Sequence, residues 1–147
     1  EDIMTLSTNT LEVTVQRTIP AHPDEVFDGW LDPKVPGNPW NFAEEFKLDA
    51  KEGGLFYWRI RDTHHYGRFI KIDRATCIQH TWVSANTLGE ESVVTLTFEK
   101  QGDETLMTLV HSGLPETERG RGHEKGWNFF LDKFSEQIGV VRARSVE

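Results

Sequence analysis

The chain has 147 residues, a formal net charge of −8 at pH 7 and a single cysteine, Cys77. The length suits one domain with a core of its own. The acidity argues against nucleic acid and anionic membranes, both of which are held through Lys and Arg. One cysteine excludes an internal disulfide.

Leu11, Val13 and Val15 alternate with Glu12, Thr14 and Gln16, which predicts a half-buried strand over Leu11–Ile19. Pro20 stops it. A helix is expected over Asp24–Leu31, with Pro23 at its first position and Asp24 and Glu25 in the first turn, where the helix dipole favours acids. Val26, Phe27, Trp30 and Leu31 form its apolar face. Lys34–Trp40 carries Pro36, Gly37 and Pro39 and reads as a stiff loop, bearing Trp40 and able to act as a lid.

Alternation then continues through a run of strands. Phe46–Ala50 opens it. Leu55–Arg61 sets Phe56, Trp58 and Ile60 on one face, and Asp62–His64 turns the chain. Tyr66–Asp73 follows, with Ile70 and Ile72 inward. Ala75–Ser84 aligns Ile78, His80 and Trp82. Ser92–Glu99 aligns Val94, Leu96 and Phe98, and Thr105–Ser112 aligns Met107, Leu109 and His111. From His123 to Val141, Trp127, Phe130, Leu131, Phe134 and Ile138 recur at three and four, the spacing of an amphipathic helix. Gly126 beside Trp127 is expected to let that helix sit close to the sheet. One domain over 11–141 is expected, with polar tails at 1–10 and 142–147. The first ten residues lack the apolar stretch of a signal peptide and no apolar run approaches 18 residues, so a cytoplasmic protein without a membrane span is expected.

No residue cluster announces a reaction. His80 and His111 lie on the predicted inward faces of their strands, and no third ligand for a shared metal is evident. His64-His65 follows Asp62, but adjacent strand residues point to opposite faces and cannot chelate together unless the turn is irregular, so a solvated turn is expected. His123-Glu124 opens like a zinc-protease helix, but Trp127 stands where the second histidine belongs. Cys77 reads as inert. No metal, cofactor or catalytic residue is expected.

Six stretches carry a family resemblance: "VTVQRTIPAHPDEVFDGWLDP" (13–33), "GGLFYWRI" (53–60), "GRFIKIDRATCIQHTW" (67–82), "SVVTLTF" (92–98), "TLMTLVHSGLP" (105–115) and "HEKGWNFFLDKF" (123–134). In this order they resemble the SRPBCC superfamily, in the branch named after the activator of Hsp90 ATPase. The resemblance implies an α+β, Bet v1-like helix-grip fold. In it a seven-stranded antiparallel sheet wraps a long C-terminal helix, and two short helices follow the first strand. It also implies a cavity between sheet and helix that binds a hydrophobic small molecule of lipid, polyketide or aromatic type. The expected walls are Trp40, Phe56, Trp58, Ile70, Trp82, Leu96, Met107 and Leu109, facing Trp127, Phe130, Leu131 and Phe134. Tyr66, Arg68, His80 and His111 are the expected polar contacts, and His80 replaces a residue usually apolar in the family. Two alternatives stand beside this reading: a cyclase- or hydrolase-like enzyme with His80 or His111 as general base, and a chaperone-interaction module. The chaperone regulator carries an additional domain that the 147 residues are expected not to accommodate, so the latter is the less expected. A homodimer is left open.

Overall fold

In the computed structural model, which describes residues 10–145, the chain begins with β1 (Thr10–Ile19) and α1 (Pro23–Leu31). It continues through β2 (Glu45–Leu48), β3 (Leu55–Ile60), β4 (Thr63–Asp73), β5 (Cys77–Trp82), β6 (Ser92–Gln101) and β7 (Glu104–Pro115). A short α2 (Glu118–Arg121) leads into α3 (His123–Ser145). The seven strands pair antiparallel in the order β1-β7-β6-β5-β4-β3-β2, and α3 packs across one face: a helix-grip fold. Among the described residues no helix is long and apolar enough to cross a membrane.

Period-two alternation places one side of β1, β6 and β7 in the core. Val13, Val15 and Ile19 of β1, Val94, Leu96 and Phe98 of β6, and Met107, Leu109 and His111 of β7 are all buried. They meet Leu131, Phe134 and Ile138 of α3. Trp30 of α1 packs edge-on against Phe134, ring centroids 5.2 Å apart, and Phe27 packs edge-on against Phe98 at 5.3 Å. These contacts pin α1 between sheet and helix. The second expected short helix is a 3-10 turn at Pro39–Phe42. The C-terminal helix runs past its expected end at Val141, and the expected tail at residues 1–9 lies outside the described residues.

The loop before that turn is clamped rather than lid-like. Asn38 is fully buried and its Nδ2 donates to the carbonyls of Gly29 and Asp32. Gly37, at φ 93°, lies so close to α3 that a Cβ there would stand 2.7 Å from Gln137 Cβ and 2.8 Å from Lys133 O.

One strand departs from its expected phase. The β3–β4 hairpin turns on Arg61-Asp62 alone, with Arg61 at φ 54°, so β4 starts at Thr63 opposite Ile60. His65 then faces Trp58 across the ladder, and His65 and Phe69 point inward. Ile70 is the extra residue of a bulge between the pairs Phe69–His80 and Lys71–Gln79, and the phase reverses there. Counting back by twos from Ile72 therefore gives the wrong face for Tyr66, Arg68 and Ile70. All three lie on the outer face, Tyr66 at 52% exposure and Ile70 at 40%.

Candidate ligand-binding cleft

Between the β3–β4 hairpin and the first turns of α3, sheet and helix leave a cleft of about 360 Å³. Trp58 and Ile60 of β3, Thr63 and His65 of β4, and Trp82 of β5 form the sheet wall. His123, Gly126, Trp127 and Phe130 form the helix wall, at the i, i+3, i+4, i+7 positions that share one helical face. Asn86, Arg119 and Gly122 complete the rim. A Cβ on Gly126 would meet nothing within 4 Å. This glycine keeps the cleft open; it does not bring the helix against the sheet.

The aromatic wall is continuous. Ring centroids lie 5.1 Å apart for Trp82 and Trp127, 6.0 Å for Trp58 and Trp82, 5.6 Å for Trp58 and Phe130, and 4.7 Å for His65 and Trp82. Two of the three indole N–H groups are used within the protein. Trp58 Nε1 donates to Pro39 O at 2.7 Å, and Trp127 Nε1 donates to His111 Nδ1 at 2.9 Å. Trp82 Nε1 is buried without a partner.

The Trp127 bond fixes the His111 tautomer. An indole nitrogen only donates, so His111 Nδ1 carries no proton and Nε2 does. That Nε2 lies 2.8 Å from Ser92 Oγ, whose hydroxyl donates to Trp82 O at 2.7 Å. Burial, with His123 and His80 nearby, pushes the His111 pKa down to about 2. With both nitrogens engaged and no exposed surface, His111 holds Trp127 in place and has no reach to a substrate. His111→Phe keeps the volume but strips an acceptor from Trp127 and a donor from Ser92. It is expected to lower stability by about 2–4 kcal/mol. Urea unfolding at pH 7 measures this; an unchanged midpoint would show the chain of bonds to be idle.

His80 lies deeper. Its Nδ1 donates to Thr81 O at 2.8 Å, and burial lowers its pKa to about 4. It borders a void of only about 20 Å³ shared with Trp30, Pro39, Trp40, Phe56, Trp58, Trp82 and Trp127, room for about one water. A general base at His80 or His111 thus has no space for a substrate beside it.

The cleft's own imidazoles are His65, which is buried and not in the solvated turn expected for it, and His123, which the sequence presents only as a failed zinc-helix motif. His65 Nδ1 lies 3.1 Å from Trp58 O, and His123 Nδ1 lies 3.1 Å from both Arg119 O and Gly120 O. Burial lowers both pKa values, that of His65 to about 4 against a smaller upward pull from Trp58 O. Both rings are neutral at pH 7.

Of the residues expected to contact a ligand, Trp58, Trp82, Trp127 and Phe130 line the cleft, and Trp40, Phe56 and His80 line the small inner void. Leu96, Met107, Leu109, Leu131 and Phe134 are fully buried core. Signals for the missed pair existed. A two-residue hairpin aligns His65 with Trp58, and His123 stands four residues before Trp127.

Residues 20–139 match the family described as activator of Hsp90 ATPase homolog 1-like protein. The chain belongs to this family. Protein Mll3558 from Rhizobium loti is similar at 21% identity and a TM-score of 0.75, over 88% of this chain and 97% of that one. CalU16 from Micromonospora echinospora is similar at 25% identity and a TM-score of 0.70, over 90% of this chain and 79% of that one. The Aha1 dimer from Colwellia psychrerythraea shares the fold at 13% identity and a TM-score of 0.70, over 88% of this chain and 98% of that one. No curated protein matches the chain.

Proposed function

We propose that the protein binds a small planar aromatic molecule in the cleft at the head of α3. The observation that carries this reading is the cleft itself. About 360 Å³ lies within the size range of small-molecule sites, and its walls are three tryptophans and a phenylalanine with a few polar groups. The apolar body of the ligand stacks among Trp58, Trp82, Trp127 and Phe130, in the offset and edge geometries these rings already adopt toward one another. Arg119 stands at the rim with no hydrogen bond or ion pair from its guanidinium among the described residues, ready to meet a polar end that stays in water.

The test uses 1-anilinonaphthalene-8-sulfonate and naphthalene as probes, read by quenching of tryptophan fluorescence. Both are expected to saturate. Gly126→Leu fills the open space and suits a helix better than glycine by up to about 1 kcal/mol. It is expected to weaken both probes at least tenfold while the melting temperature holds or rises. Saturation that ignores the plug, or no saturation at all, would remove the cleft from consideration.

A further inference from the structure

We infer that the cleft selects ligands that bring two hydrogen-bond donors, a dihydroxylated aromatic being the simplest class, with one hydroxyl given to His65 and one to His123. This deepens the aromatic-binding reading above and rests on it.

The argument is one of donors and acceptors. A backbone carbonyl only accepts, so the proton of His65 sits on Nδ1, facing Trp58 O, and that of His123 sits on Nδ1, facing Arg119 O and Gly120 O. Each ring is left with a bare Nε2, a single fixed acceptor. Neither Nε2 has a partner among the described residues, and neither is a sealed, unsatisfied atom. The two rings line the same cleft from opposite walls, His65 from the sheet and His123 from the helix.

Two acceptors cannot satisfy each other. The cleft's tryptophans do not satisfy them either. Trp58 and Trp127 have given their N–H groups to Pro39 O and His111, and the N–H of Trp82 is enclosed without a partner. The side chains of Thr63, Asn86 and Arg119, which also line the cleft, make no hydrogen bond to either ring. At these two rings the cleft therefore offers acceptors only. A ligand hydroxyl or N–H fits this pattern, whereas a ligand carbonyl or ether would set oxygen lone pairs against nitrogen lone pairs. Sites built from buried polar groups reject an analogue that lacks the matching group far more strongly than apolar pockets reject a size change. Both rings stay neutral at pH 7, because burial lowers their pKa values, so the acceptors persist under ordinary conditions.

The experiment compares naphthalene, 2-naphthol, the set of dihydroxynaphthalene isomers and their dimethyl ethers on the wild-type protein, by calorimetry or fluorescence quenching. A hydrogen bond to an otherwise unpaired acceptor is expected to be worth about threefold or more in affinity. At least one dihydroxy isomer should therefore bind at least tenfold more tightly than naphthalene and than its own dimethyl ether, with 2-naphthol between. His65→Phe and His123→Phe should each reduce that preference, taken as the affinity ratio to naphthalene on the same variant, to the level of a single hydroxyl. If naphthalene binds and every isomer lies within threefold of it, the donor pairing is wrong and the aromatic cleft stands. If a dihydroxy preference persists in both variants, the pairing with these two histidines is wrong. If no compound binds, the cleft reading fails as well.

Discussion

Lowering the pH from 7 to 5 should reduce the stability of this protein by about 5 kcal/mol. Three buried histidines cause it. His65 and His80 resist protonation until about pH 4, and His111 until about pH 2. Once unfolded, all three rings take up protons near pH 6.5. Below that value the unfolded chain holds more protons than the folded one, so stability rises with pH and falls on acidification. Each ring contributes up to about 1.4 kcal/mol per pH unit between 6.5 and its folded pKa. The total rivals the whole stability of an ordinary domain. Thermal melts at pH 7, 6 and 5 should show the midpoint dropping by more than about 10 °C. The window lies above the titration of ordinary carboxylates, so they do not mask it. A flat midpoint across it would mean that the rings are hydrated in the fold. His80→Leu should flatten the slope by about a third, since one of three rings is gone.

The substitution Gly67→Ala should cost about 3 kcal/mol or more. Gly67 lies opposite Phe56 in the β3–β4 ladder, and the Phe56 ring covers it. A Cβ there would collide with two atoms of that ring and with the backbone carbonyl of Thr81. The carbonyl belongs to the sheet and cannot move alone. The ring is held by Trp40, Phe69, His80 and Trp82, at centroid separations of 4.9–6.2 Å. Relief thus requires disturbing the inner end of the aromatic wall. Chemical denaturation measures the loss, and a double variant with Phe56→Leu should recover part of it, because the two sites share one collision. A loss under about 1 kcal/mol would show that the strand yields at little cost.

Much of the architecture was legible because burial on a sheet or helix writes a period into the chain. The inward residues of β6 and β7 and the buried face of α3 follow from alternation and from three–four spacing alone. The phase of β4 was not legible in the same way. A tight hairpin at Arg61-Asp62 and a bulge at Ile70 each change the count by one residue, and neither is forced by local propensity. Their joint effect moved Tyr66, Arg68 and Ile70 outward and brought His65 in. The Gly126 position was likewise ambiguous, since a glycine serves equally for close approach and for an opening.

The amino-acid sequence by itself determined which elements form, their order, and the apolar faces that sheet and helix must bury, because periodic burial is a one-dimensional signal. Tertiary structure alone decided where the room is left. Trp30, Trp40, Phe56 and Phe134 fill the middle of the grip, while the β3–β4 hairpin and Gly126 border the cleft at the head of α3. Which volumes are filled depends on side chains from six or more distant segments meeting at once, and no local pattern in the chain encodes that meeting.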